Sequence, residues 1–235
     1  IYINILKNMS SIFLRKASLG LVAVAVPLTI TNFTKCDNVT WPFDTKGFPT
    51  KSSDSLTLAG VGMRRKNFYV MEVDVYQTAL NLSSNTMNAA KTCHQEAGLE
   101  CDMAKYIYDA AVNNNKKGNA DATVTLKFVR AVGKDQVVEA FNEAFVGLNA
   151  EDIMKFKGEL SKNVGEGGMK IGEEIKFAWL SGGGLVITKG NDTTDSCYRN
   201  SAVEKRLMEI YVDTKRSVAP ELVKCVHDHI NDISA

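Results

Sequence analysis

Between Glu173 and Gly190 the chain has little choice but to form an antiparallel hairpin. Ile175, Phe177 and Trp179 alternate along the first arm, Ser181-Gly182-Gly183-Gly184 turns the chain, and Leu185 and Ile187 return along the second. A period of two places the large apolar side chains on one face of the hairpin. The glycines supply backbone conformations that a tight turn requires and other residues resist. A hairpin with one apolar face is not stable alone in water, so further strands must extend it and other elements must cover it.

The rest of the chain supplies both. Ala122–Val132 alternates in the same way, with Val124, Leu126 and Phe128 on one face and Thr123, Thr125 and Lys127 on the other. Leu56–Gly60 and Asn67–Leu82 are predicted strands, the second long and rich in β-branched and aromatic residues. Helical spacing appears over Asp135–Gly147, where Val137, Val138, Phe141 and Phe145 make one stripe, and over Glu151–Leu160. It returns from Ser201 with Val203, Leu207, Ile210 and Tyr211. Pro220 starts a last helix whose apolar stripe is Leu222, Val223, Val226 and Ile230. Ser83–Asp102 is polar with scattered alanines, Met103–Val112 either continues a helix from it or opens one, and Asn113–Asp121 is a loop. The pattern predicts an α+β domain, an antiparallel sheet with helices on one face.

Charge and size exclude several functions. The 28 basic and 27 acidic residues are spread along the chain and give a net charge of +1. A nucleic-acid binder would need a concentrated basic face. A domain of this size buries enough surface to fold without a disulfide or a metal. The three histidines form no zinc pattern; His227 and His229 stand two apart on a helix and point to different sides. The five cysteines leave at least one unpaired; Cys93 and Cys101 bracket a short polar loop and are either bridged or simply small semi-buried residues. Gly165-Glu166-Gly167-Gly168 and the glycines at 182–184 do not link a strand to a helix, so they are turns and not phosphate loops. Glu151, Asp152 and Glu159 belong to solvated helix faces. Neither a metal nor a cofactor is expected.

The N-terminal part has a different character. The first methionine is Met9; Arg15 and Lys16 precede the apolar run Leu19–Ile30, and residues 31–54 are turn-rich and polar. The run suits a signal-peptide core and is too short for a comfortable membrane span; the alternative is a buried element of the domain. Residues 1–54 are therefore expected to be a targeting segment and spacer, with plastid and secretory pathway both open as destinations, and residues 55–235 the domain. Sequons at Asn32, Asn38, Asn81 and Asn191 matter only for a secreted chain.

Five segments, in order, carry a resemblance. They are Gly60-Val61-Gly62-Met63-Arg64, the strand ending Val75-Tyr76-Gln77-Thr78-Ala79-Leu80-Asn81-Leu82, the helix with Ala140-Phe141-Asn142-Glu143-Ala144-Phe145, the hairpin entry Gly172-Glu173-Glu174-Ile175, and Leu207-Met208-Glu209-Ile210-Tyr211-Val212 followed by Ser217-Val218-Ala219-Pro220. Together they resemble the chalcone isomerase family over roughly residues 55–230. The resemblance implies an open-faced β-sandwich, a large antiparallel sheet covered by a layer of helices, with the ligand cleft between the two.

In the family's isomerases an arginine after the glycine-rich start polarises a ketone. A threonine on the next strand, a tyrosine and an asparagine on a helix, and a Ser/Thr near the penultimate helix assist it. Arg64 matches the arginine and Tyr76 takes the threonine position. The helix positions are a valine and an alanine within Val137–Ala144, so Ala144 would line the cleft without donating a hydrogen bond. Asn142 is the one candidate donor there, and the last Ser/Thr position falls near Ser201–Glu204. The family's plastid fatty-acid-binding branch clamps a carboxylate with an arginine–tyrosine pair, which Arg64 and Tyr76 resemble. Such a pair suits an acid whose tail fills an apolar cleft.

The expected function is a non-catalytic chalcone-isomerase-like protein that binds a fatty acid or similar small apolar carboxylic acid. Two alternatives stay open. One is an intramolecular lyase that closes a chalcone to a flavanone, with a flavonoid-like ligand. The other is an auxiliary subunit of a protein complex with no ligand. Without the resemblance Arg64 would be a surface residue beside Arg65 and Lys66, and Tyr76 an ordinary strand aromatic. Glu72 and Asp74 share the strand parity of Tyr76, which marks that face as partly solvated.

Overall fold

The computed structural model describes residues 48–52, 55–68, 71–115, 118–190 and 197–232. The expected targeting segment, apart from residues 48–52, lies outside the described residues, as do the sequons at Asn32, Asn38 and Asn191. Asn81 is described; it is a buried strand residue.

Six antiparallel strands follow one another across a single sheet in chain order: β1 (Thr57–Phe68), β2 (Met71–Leu82), β3 (Ala120–Phe128), β4 (Glu174–Leu180), β5 (Leu185–Lys189) and β6 (Cys197–Tyr198). Helices α1 (Ser84–Ala97) and α2 (Met103–Val112) lie between β2 and β3. Next come α3 (Lys134–Ala144) and α4 (Ala150–Val164) between β3 and β4, then α5 (Ser201–Val212) and α6 (Pro220–Asp232) at the end. This is the α+β architecture expected from the sequence.

The hairpin at Glu174–Lys189 and the inward alternation of β3 stand where the periodicity placed them. Two things differ. The expected gap between the first strands is filled: Gly60 to Phe68 is continuous strand, although its glycines look like a break in the sequence. Those glycines let a helix approach. A Cβ on Gly62 would stand 2.4 Å from the backbone nitrogen of Leu222, and one on Gly60 2.7 Å from a Val226 methyl group, so α6 lies directly on β1. The polar segment after Ser83 is helix α1, capped by the Ser83 hydroxyl, which accepts from the Thr86 amide. Its buried stripe of Thr86, Met87, Ala90 and Cys93 is too small and mixed to stand out as a hydrophobic period.

Register arranges the helix-facing side chains in rows. Gly60, Leu80, Val124, Phe177 and Ile187 form one row; Gly62, Thr78, Leu126 and Ile175 form the next; Arg64, Tyr76 and Phe128 form the third. The first row is the centre of the core. Phe177 packs with Phe141 and Phe156, and Phe156 meets Phe145 edge-on at 5.0 Å between ring centroids. The opposite sheet face carries Gln77, Thr125, Lys127 and Lys176, with Phe48 buried against Leu58, Ala79 and Cys225 near its edge. Cys93 and Cys101 are bridged, tying the end of α1 to the start of α2.

Candidate functional site

The third row is where the packing changes character. Strand pairing brings Arg64 directly opposite Tyr76, twelve residues away in sequence, and Tyr76 lies beside Phe128 with ring centroids 5.5 Å apart. Just beyond, the ladder slips: Arg64 pairs with Tyr76, Arg65 with Asp74, and Val75 is left over. An extra residue in one strand re-aims the side chains that follow it. Both arginines therefore reach the same end of α6. Arg65 binds Asp74 at 2.9 Å and Glu221 at 2.5 Å, which fastens the first turn of α6 to the β1–β2 hairpin. Asp74 is thus neutralised and Glu72 is exposed, so neither acid pairs with Arg64 despite sharing the parity of Tyr76.

Arg64 is left with a neutral partner. Its Nη1 donates to the Val218 carbonyl at 3.0 Å, and among the described residues no carboxylate pairs with it. Val218 belongs to the turn between α5 and α6. That turn is itself fixed: the Val218 amide donates to the Ile210 carbonyl at 2.8 Å, and the Ser217 hydroxyl donates to the Tyr211 carbonyl at 3.1 Å. The guanidinium is half-buried in a rigid setting, with donors to spare and no anion.

A second tyrosine completes the group. Tyr211, fully buried on α5, rests on Phe177 with ring centroids 6.4 Å apart and reaches across to Tyr76. The Tyr76 phenol is raised in pKa by burial, against smaller opposing influences from Tyr211 and Arg64. Burial, then the neighbouring Tyr76, hold the Tyr211 phenol well above its ordinary range. Both are neutral donors at physiological pH, not bases. The two phenols interact, yet among the described residues the Tyr211 hydroxyl has no partner within hydrogen-bonding geometry, so the contact is loose.

Tyr211 owes its position to Glu204, seven residues earlier and on the same side of α5. Glu204 is a buried carboxylate that accepts from the Asn200 amide at 2.8 Å, the Gly184 amide at 3.1 Å and the Tyr108 hydroxyl at 3.4 Å. Its carbonyl accepts from the Trp179 indole at 3.0 Å. The Asn200 side chain caps the same helix by accepting from the Val203 amide. The β4–β5 turn thus pins one end of α5, and Tyr211 projects two turns along.

The other expected positions lie apart from this group. Ala144 is half-buried at the end of α3 and packs against the core; its carbonyl accepts from Arg206 at 3.5 Å. Asn142 points outward, bonded to Glu139 and Lys157, and offers no donor to the cleft. Ser201 is an exposed helix-start residue. Tyr211 escaped notice in the sequence because it continues the apolar stripe of its helix. The available signal was its hydroxyl, since a buried tyrosine in an apolar stripe must find a polar partner. Among the described residues no group of three or more metal-ligating side chains occurs.

No family model and no curated protein sequence matches the chain. Among solved structures it is similar to the crystal structure of a fatty-acid-binding protein of Arabidopsis thaliana, AtFAP1. The TM-score is 0.59 over 78% of this chain and 93% of that one, at 17% sequence identity. The fold is chalcone isomerase-like. Within this fold, the segments that carried the resemblance occupy β1, the end of β2, α3, the entry to β4, and α5 through the start of α6. Three of them, β1, β2 and the α5–α6 turn, converge on Arg64, Tyr76 and Tyr211.

Proposed function

We propose that this protein binds a fatty acid or similar small apolar carboxylic acid between sheet and helices, without catalysing a reaction on it. Arg64 supplies the charge and Tyr76 and Tyr211 supply neutral donors around the carboxylate. The observation that carries this is the bonding of Arg64: among the described residues its half-buried guanidinium meets a carbonyl and no carboxylate, beside the half-buried Tyr76 phenol and the buried Tyr211 phenol. A planar guanidinium is well suited to a carboxylate, and such charge-assisted bonds are among the strongest a protein makes. The similarity to a fatty-acid-binding protein supports the same ligand class.

The non-catalytic part rests on what surrounds Arg64. Val137 is a buried apolar side chain, Asn142 faces away, and the phenols are kept protonated. An isomerase would need preorganised donors around a developing oxyanion and a way to handle protons. The Cys93–Cys101 bridge suits an oxidising compartment, which favours the secretory side of the targeting expectation. Titration of the protein with dodecanoic acid, in the native form and as Arg64→Ala, tests the anchor. The variant is expected to bind about ten- to a hundredfold more weakly, and equal affinities would remove Arg64 from the site.

A further inference from the structure

One group beside the proposed anchor is not needed to hold a carboxylate. Thr78 stands one row in from Tyr76 on β2, opposite Gly62 on one side and Leu126 on the other. It is completely buried, and among the described residues its hydroxyl has no hydrogen-bond partner. A strand rises about 3.3 Å per residue, so Thr78 lies roughly 7 Å from Tyr76 along the sheet, on the same helix-facing side. The Tyr211 ring spans this row from above, because it touches Phe177 in the row beyond and Tyr76 in the row before. The wholly buried Thr78 hydroxyl, without a partner among the described residues, therefore lies beneath the Tyr211 ring, close to the Tyr76 phenol.

Such groups are rare in proteins, because an unpartnered buried hydroxyl forfeits its bonds to water. Arg64 and Tyr76 already present enough donors for both carboxylate oxygens. The Thr78 hydroxyl lies inward of that anchor, where the first carbons of an acyl chain would run. A plain methylene chain leaves it unsatisfied. A hydroxyl or keto oxygen near the carboxyl end satisfies it.

On this basis we infer that the preferred ligand is an oxygenated fatty acid, a 2- or 3-hydroxy or -oxo acid, whose extra oxygen bonds to Thr78. The inference rests on the proposed carboxylate anchor and narrows its ligand class. Thr78→Val keeps the branched shape and removes the hydroxyl, so it isolates this contact. The experiment measures affinities of dodecanoic acid, 2-hydroxydodecanoic acid and 3-hydroxydodecanoic acid for the native protein and for Thr78→Val. One hydroxy acid is expected to bind the native protein about three- to tenfold tighter than dodecanoic acid, as one neutral buried hydrogen bond allows. That preference is expected to vanish in Thr78→Val, while the affinity for dodecanoic acid stays within about twofold, since that acid makes no bond to be lost there. A melting curve without ligand gives an independent readout, because removing an orphaned hydroxyl should leave the melting temperature unchanged or raise it. A lowered melting temperature would show that the hydroxyl has a structural partner and would overturn the inference. If dodecanoic acid binds and neither hydroxy acid is preferred, the inference fails and the anchor stands. If no acid binds the native protein, the anchor itself fails and this inference with it.

Discussion

Around Phe177 the interface between sheet and helices is filled with aromatic rings, whereas two rows along the same strands, at Tyr76, it holds a guanidinium and hydroxyls. The first region is complete. Phe141, Phe145, Phe156 and Phe177 meet at centroid distances of 5.0–6.4 Å and leave nothing polar to satisfy. Among the described residues, the second contains an arginine with no acid, a buried Thr78 hydroxyl with no partner and a loose contact between two phenols. Both regions share one sheet face and one helical layer, but Arg64 and Tyr76 are half-buried where the rings around Phe177 are fully enclosed. Packing of the first kind accounts for folding; incompleteness of the second kind costs stability, and the proposed ligand would account for it.

Substitutions that separate the two regions break or sharpen this contrast. Phe177→Ala should be the most damaging, because it opens a cavity among three other rings, Phe141, Phe156 and Tyr211. A loss of about 3–5 kcal/mol in denaturant unfolding is expected. A loss below 1 kcal/mol would mean that the ring cluster is not the centre of the fold.

Gly62→Ala comes next, and it acts at the border of the site. Its new methyl group would collide with the backbone of Leu222, so α6 must shift on β1. About 1–3 kcal/mol of stability should be lost. Acid binding should weaken as well, since Val218 and Glu221 at the head of α6 are the groups that position Arg64 and Arg65. Unchanged stability would show that α6 does not press on the strand as described.

The helix also carries a pH dependence. His227 is buried on α6, with its Nδ1 3.0 Å from that of His94 on α1. Burial, and then the neighbouring His94, lower its pKa below the ordinary 6.5; burial lowers that of His229 too. A lowered folded-state value means that the unfolded chain takes up protons first as pH falls. Stability is therefore full above pH 6.5 and declines below it, by at most about 1.4 kcal/mol per pH unit for each imidazole. Unfolding free energies at pH 7.5 and 5.5 should differ in that direction, and less so in His227→Gln. A chain more stable at the lower pH would contradict the burial of these rings.

The smallest effect is expected at Arg65, and the comparison with its neighbour is the informative part. Its ion pairs with Asp74 and Glu221 are partly exposed, so Arg65→Ala should cost no more than about 1 kcal/mol. It should leave acid affinity within about twofold, because its charge is already matched by two carboxylates. If Arg65→Ala abolished binding, the assignment of the two arginines would be reversed.

What was legible in the sequence follows the range of the physics. The hairpin at Glu174–Lys189, the alternation of β3 and the stripes of α5 and α6 depend on local period, and they stand where the period put them. Gly60 and Gly62 were misleading as punctuation, because their role is set by a helix that begins at Pro220. Helix α1 stays open in the sequence because its inward face mixes Thr86, Ala90 and Cys93 with a single large residue, Met87. Arg64 and Tyr76 could be named from the ordered resemblance, and their pairing needed only the strand register. The bulge at Val75, which separates the roles of Arg64 and Arg65, has no sequence signature here. Tyr211 and Thr78 sit at apolar-looking positions, and only three-dimensional packing reveals that their hydroxyls are unspent.

The central claim is that Arg64 waits for a carboxylate, and the form of the ligand tests this directly. Calorimetric titration of the native protein with dodecanoic acid and with its methyl ester compares the same chain with and without the charge. The acid is expected to bind about ten- to a hundredfold tighter than the ester, and the difference should collapse in Arg64→Ala. Equal affinity of the native protein for acid and ester would show that the cleft recognises shape alone, and the unpaired arginine would have no part in binding.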